Sequence, residues 1–408
     1  MDRSRQVHGQ RRGRRWAAVA ATAALVLGLG TVASPVAAYS GPSDFQSMGG
    51  GLGSSTPDGV GTLYASARVG GTIYIGGDFQ TAGGADVGPV AQWTGTAWAA
   101  VGTPADGPSG FVVSMTTDGT NLYVGGDFGV FEFEPATSTW TDLNWPNSAQ
   151  ALTWYDDGTN PAHLVAGGND VNGGLCRFGR YVDSIWRNVI NITASDTNCA
   201  IFALAVMNHQ LYVGGYFTDK GATPANNLLM YDGATNSWSP VNGTTGDGVT
   251  NGTGGAMVFA MTADEATSTL FVGGVFDNAS GTSVNAIASY HAGAFSDVAN
   301  SATELLAGSE VDALLSVAGT PTAIAAGGSF TLASGTSTVM VTDLDTTGWL
   351  PMGQGTDDFV NTLLLVDDSN LLIGGDFTTA YRMSDNTAVA DTMGVALFGP
   401  TPVAPTWN

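Results

Sequence analysis

Seven times along the chain a run of apolar residues ends in a Gly-Gly pair: Gly76-Gly77, Gly125-Gly126, Gly167-Gly168, Gly214-Gly215, Gly273-Gly274, Gly327-Gly328 and Gly374-Gly375. The clearest copies read TIYIGGDF, NLYVGGDF, QLYVGGYF, TLFVGGVF and NLLIGGDF. Successive pairs are 49, 42, 47, 59, 54 and 47 residues apart, about 50 on average. The surroundings of each pair repeat as well. In the second copy FVVSMTTD (111–118) is an apolar strand that ends in an Asp-Gly turn. NLYVGGDF (121–128) returns as its hairpin partner. VFEFEP (130–135) alternates apolar and polar, as a half-exposed strand does, and STWTDL (138–143) is a short outer strand. Outside the N-terminal segment no apolar stripe of helical period is sustained.

Four strands per unit and a period near 50 residues predict an all-β, seven-bladed β-propeller. A six-bladed ring that omits the divergent third copy, HLVAGGND (163–170), is the competing count. The Gly-Gly pair is expected to let the second strand kink and to admit an aromatic side chain from a neighbouring unit. The seventh unit lacks an outer strand. DFQSMGGGLG (44–53) matches GWLPMGQG (348–355) at the end of the sixth, so the N-terminal strand is expected to pair into the last blade. That pairing would remove an open sheet edge.

The N-terminus changes this picture only by subtraction. MDRSRQVHGQRRGRRW followed by AAVAATAALVLGLGTVASPVAA has the basic and apolar regions of a secretory signal, with an Ala-x-Ala-like end at Val36-Ala37-Ala38. The apolar run from Trp16 to Leu29 is 14 residues, too short to span a bilayer comfortably. We therefore read 1–38 as a cleaved signal, 39–408 as one domain, and the location as secreted or cell envelope. No stretch of the remaining chain is apolar and long enough for a transmembrane helix. Beyond residue 38 there are 6 Lys and Arg against 34 Asp and Glu, a formal net charge of −28. Such a surface disfavours nucleic acid and anionic membranes. Cys176 and Cys199 are the only cysteines, and export would oxidise them to a disulfide.

YDGATNSW (231–238) and FEFEPATSTW (131–140) place a Tyr or Phe about seven residues before a Trp, downstream of a Gly-Gly pair. This resembles the kelch signature, and the LYVGGDF wording is similar to cortical-marker-type and bacterial delta-type repeat proteins. The resemblance runs from about Ser43 to Phe398 and implies fold more than activity. Exported kelch-like propellers include copper radical oxidases, which would imply clustered His and Tyr. The three histidines beyond the signal, His163, His209 and His291, fall in three different units.

Two sets of residues are candidates for chemistry. Acids stand in the turns that lead into the innermost strands: Asp58, Asp106, Asp247, Glu310 and Asp358. In a propeller these turns share one face, and a ring of carboxylates there would suit Ca²⁺. The connection after the second strand opens on the same face. It is longest in the seventh unit (378–394), where Tyr381, Arg382, Asp385 and Asp391 stand, and Asp219 and Lys220 occupy the matching place in the fourth. The acid after Gly-Gly, in Asp78, Asp127 and Asp376, reads as a structural acceptor. The tryptophans Trp93, Trp98, Trp140, Trp238 and Trp349 read as packing between blades rather than as a sugar-binding set. The expectation is a monomeric module that binds a protein or glycan at the cell surface. The rivals are an exported carbohydrate-active hydrolase or lyase using mouth carboxylates, and a structural envelope protein without a ligand.

Overall fold

A computed structural model of the chain describes residues 43–55, 59–169, 175–193, 199–220, 223–241, 248–252, 254–298, 305–317, 323–331, 337–338, 352, 354–367 and 369–400. Every regular element among them is a β-strand. No helix among the described residues is long and apolar enough to cross a membrane. Among the described residues there are five four-stranded antiparallel sheets, built around the Gly-Gly pairs of the first, second, fourth, fifth and seventh units. The third unit is extended to six strands, and the sixth shows three, its remaining segment lying outside the described residues. Residues 1–38, expected to be a signal, and Trp349 also lie outside them.

Burial explains why the first two strands of each unit are largely apolar. In the second strand of the second unit, Leu122–Gly126, every residue is buried, whereas the outer strand Thr139–Asp142 has three of its four residues exposed. The first strands of successive sheets pack side by side, and that of the seventh, Val360–Leu365, packs against that of the first, Thr62–Val69. Buried hydroxyls of Ser66 and Thr362 meet there at 2.8 Å. Arg68 donates to the Val366 carbonyl at 3.0 Å.

The Gly-Gly pairs have a more definite role than the one expected of them. In every unit but the second, the first glycine makes room for an aliphatic side chain of the next unit's first strand, not for an aromatic. A Cβ at Gly76 would fall on Met115 and Val112, at Gly167 on Ile201 and at Gly214 on Val258, whereas at Gly125 it would meet the Ser114 hydroxyl of its own sheet and then Ala149 of the next unit. The series continues with Gly273 on Val311 and Gly327 on Val360, and Gly374 meets Leu63 of the first unit. The second glycine faces its own sheet. There a Cβ would strike a backbone carbonyl of the first strand, that of Thr62 for Gly77 and of Met257 for Gly274, with equivalents in all seven units.

The outer strands are tied by tryptophan. Trp98 donates its indole N–H to the Met48 carbonyl at 2.7 Å, Trp140 to Val101 at 2.9 Å and Trp186 to Leu143 at 2.8 Å. Each acceptor lies just past the outer strand of the preceding sheet, so a buried indole is satisfied by the neighbour it packs on. For Trp98 that neighbour is the N-terminal strand. Ser43–Ser47 pairs antiparallel with Val395–Pro400 and is the outermost strand of the seventh sheet.

Cys176, in the third strand of the third sheet, is bonded to Cys199, at the entry to the fourth, with their Cα atoms 5.0 Å apart. The bridge closes a sequence separation of 23 residues and both cysteines are buried. Replacing both by alanine is expected to lower stability by about 3 kcal/mol, mainly by freeing the unfolded chain. Denaturant unfolding of the variant against the oxidised protein checks this; equal midpoints would refute it.

Candidate functional site

Opposite each Gly-Gly pair the first strand carries one residue more than its partner. In the first unit Leu63 pairs with Gly77 and Ala65 with Gly76, leaving Tyr64 as the extra residue of a β-bulge. The same break leaves Val113, Phe202, Phe259, Asp312 and Asn361 as extra residues. In the third unit Gln150 holds this place, since Gly168 there faces the Ser148 carbonyl as Gly77 faces that of Thr62. A bulge reverses the in-and-out phase of a strand and re-aims one side chain. Here it does so at the same level in each unit.

Two further positions share that side of the sheet. They are the first-strand residue two before the bulge and the residue after Gly-Gly, which stand opposite each other: Thr62 with Asp78, Ala200 with Tyr216, Met257 with Val275 and Glu310 with Ser329. Contacts confirm the common side. Asn361 donates to Asp376 at 2.7 Å and to the Leu63 carbonyl at 3.2 Å, and Gln150 donates to Asn169 at 3.4 Å. Phe202 and Phe259 meet edge to face at 5.4 Å, with Ala200, Tyr216, Met257 and Val275 packed around them. Tyr64, Phe111 and Val113 form a matching group between the first and second units.

The result is a two-level rim. At the lower level, Val113, Gln150, Phe202, Phe259 and Asp312 are buried. At the upper level, Asp78, Tyr216, Met257, Glu310 and Ser329 are half-buried and Asp127 is exposed. Its chemistry is one-sided. The fourth and fifth units contribute the aromatic and aliphatic arc, Phe202, Tyr216, Met257, Phe259 and Val275. The sixth and seventh contribute Glu310, Asp312, Asn361 and Asp376, and the first and second add Asp78 and Asp127. One side can hold an apolar face, and the other can accept hydrogen bonds or face a positive group. The acid after Gly-Gly therefore supports the structure in Asp376, which takes the Asn361 amide, and also stands on the rim.

The other predicted residues fall elsewhere. Asp58 and Asp247 lie outside the described residues. Asp106 sits exposed in a turn, its N–H donating to the Thr103 carbonyl, and the Asp358 carboxylate accepts the Phe359 N–H at 2.9 Å. Among the described residues no group of three or more His, Cys, Asp or Glu is placed to hold a metal ion, so Asp106, Glu310 and Asp358 do not gather into one.

The turn into the first strand and the connection after the second do share a face. Leu52–Gly53 pairs with Thr81–Ala82, Val249–Thr250 with Asn278–Ala279, and Thr356 bridges to Ala380. In the seventh unit that connection holds the N-terminal strand. Arg382 faces the buried Asp44 carboxylate at 3.9 Å, and the Asp391 carbonyl accepts the Ser47 hydroxyl at 2.9 Å. Tyr381 donates its N–H to Gly355. Hydrogen bonds from the Thr387 hydroxyl and N–H hold the Asp385 carboxyl below the usual carboxylate range. In the fourth unit Asp219 accepts the Thr218 hydroxyl at 2.6 Å, and Asp219–Lys220 pairs with Thr223–Pro224.

No family model and no curated protein matches the chain. Its fold is similar to two crystal structures of the extracellular domain of BT4673 from B. thetaiotaomicron. One is described as a one component system: TM-score 0.56, 14% identity, covering 88% of this chain and 40% of that one. The other is described as a hybrid two component system: TM-score 0.54, 14% identity, covering 87% and 39%. The chain thus spans well under half the length of these structures.

Proposed function

We propose that the chain is an exported, monomeric, closed seven-bladed β-propeller of kelch-like type, whose inner rim binds a glycan or an extended protein segment outside the cell. Contacts from the first glycine of each of the seven pairs to the following unit, returning from Gly374 to Leu63, support the blade count and the closure. The signal-like segment 1–38 and the likeness in fold to extracellular domains support the location.

The observation that carries the binding role is the one-sided rim. A sugar ring presents an apolar C–H face and a periphery of hydroxyls. An aromatic arc holding Tyr216, with acids such as Asp127 elsewhere on the rim, matches both at once.

The test is a melting-temperature screen of 39–408 against a glycan panel. A ligand at a hundred times its Kd stabilises by ~2.7 kcal/mol. The shift is expected to disappear in Tyr216→Ala, at a half-buried position, and to weaken in Asp127→Asn, at an exposed one. A shift that survives both substitutions would move the site off the rim. A Ca²⁺ arm in the same screen reads the acidic turns separately, since neither substitution touches Asp106, Glu310 or Asp358.

A further inference from the structure

The outer edge of the third sheet differs from the others. Among the described residues the outer strands elsewhere are short: Trp98–Ala100 has 3 residues, Thr139–Asp142, Ser237–Pro240 and Ala294–Asp297 have 4 each, and Ser43–Ser47 has 5. Short edges are a standard protection against pairing with another chain. In the third sheet the fourth strand, Ile185–Thr193, has 9 residues. Among the described residues only Thr193 has a partner on its far side, Asp219.

That hairpin is also where the positive charge sits. Of the six Lys and Arg beyond residue 38, three are here: Arg177, Arg180 and Arg187. Arg180 and Arg187 are directly opposite each other across the strands. Like charges so placed repel each other across the sheet, and a negative group beside them would relieve that repulsion. Arg180 lies over the Tyr231 ring at 5.7 Å. Arg187 is 55% exposed and faces Asp183 at 3.7 Å, a surface pair that contributes little.

The hairpin is held firmly from behind. Trp186 packs on Trp145 and Tyr181 at 4.7 and 5.0 Å and donates to Leu143. The neighbours of Trp186 in the strand, Ile185 and Arg187, fall on the other face, and Ile185 is 59% exposed.

We propose that this edge is a strand-addition site for an extended acidic segment of a partner protein. An added strand would lie about 4.8 Å away, its main chain pairing with that of Ile185–Thr193. Across from Arg187 it would carry a Glu or Asp, and two residues away, across from Ile185, a β-branched residue. The acidic surface of the rest of the chain does not cancel the attraction, because charges beyond about 8 Å are screened at physiological salt. The site is on the outer edge and is independent of any ligand at the rim.

The probe is a fluorescein-labelled nine-residue peptide alternating Val, Thr, Glu and Thr, titrated into 39–408 and followed by polarisation. Binding is expected, with at least a tenfold loss for Arg187→Glu and a smaller loss for Ile185→Thr. Both positions are exposed, and unchanged melting temperatures establish that the variants fold. Equal binding of a peptide with Lys in place of Glu would overturn the assignment. So would equal binding of a peptide N-methylated at alternate residues, which cannot complete the main-chain ladder. A dimer in sedimentation equilibrium that Arg187→Glu abolishes would assign the edge to a second copy of this chain instead.

Discussion

Gly274→Ala is expected to destabilise the protein by about 3 kcal/mol or more, or to prevent folding, although it adds a single methyl group. The new Cβ would be driven into the Met257 carbonyl oxygen, in the first strand of the same sheet. A side chain in that position could rotate away, but a carbonyl held in a paired strand cannot. Met257 pairs with Val275 and Val258 with Gly274 across the bulge that places Phe259 on the rim, so relief would require the bulge itself to move. Gly71→Ala is the matched control. A Cβ there meets nothing within 4 Å, and its expected effect is neutral to stabilising by about 0.5 kcal/mol. Denaturant midpoints of the two variants measure the contrast. Equal midpoints would mean that the pair does not keep strands and bulge in register.

Deleting residues 39–47 is expected to have an effect of similar size or larger. The strand that would be lost buries Phe45 at 1% exposure against Phe398, ring centroids 5.1 Å apart. It also brings Asp44 under the seventh-unit connection. The Asp44 carboxylate accepts the Met383 N–H at 2.7 Å, the Ser384 hydroxyl at 3.1 Å and its neighbour's N–H at 2.9 Å, with Arg382 beside it. Hydrogen bonds to a charged group contribute about 1.5–3 kcal/mol each, so Asp44→Ala should cost about 3 kcal/mol. Phe45→Ala should cost about 3–5 kcal/mol. The deletion also leaves the Trp98 indole without the Met48 carbonyl held in place and exposes Val395–Pro400 as a free edge. A deletion variant that melts within a few degrees of the parent would show that the N-terminal strand is an accessory.

Part of the rim could have been found without coordinates. Gln150, Asp312 and Asn361 are polar residues inside otherwise apolar first strands, each set between an apolar residue and a small one. In a strict two-residue alternation they fall out of phase, which is the sequence trace of a bulge. The aromatic members gave no such signal, because Phe202 and Phe259 look like any other core residue in AIFALAVM and MVFAMTAD. The acid after Gly-Gly was visible but read as wholly structural, since repetition at a fixed place in a repeat does not separate support from exposure.

The loop 378–394 has a structural role that its sequence did not suggest. Its length and its rare arginine suggested ligand contacts. What Arg382 meets is Asp44, 338 residues earlier in the chain. Pairing at that separation leaves no periodic trace in the sequence.

By itself the sequence determined the repeat, the all-β character, the four-strand order of the units and the pairing partners of the two cysteines. Each is written in local terms: the two-residue alternation of strands, turn residues at fixed offsets, a recurring glycine pair and a count of two. The tertiary structure alone decided which neighbour fills the space above each glycine and which residues the bulges turn onto one rim. It also decided that the N-terminal strand is pinned through Asp44. Those depend on how separate sheets lean on one another, and close packing between distant segments selects a particular atom where the pattern specifies only a residue type.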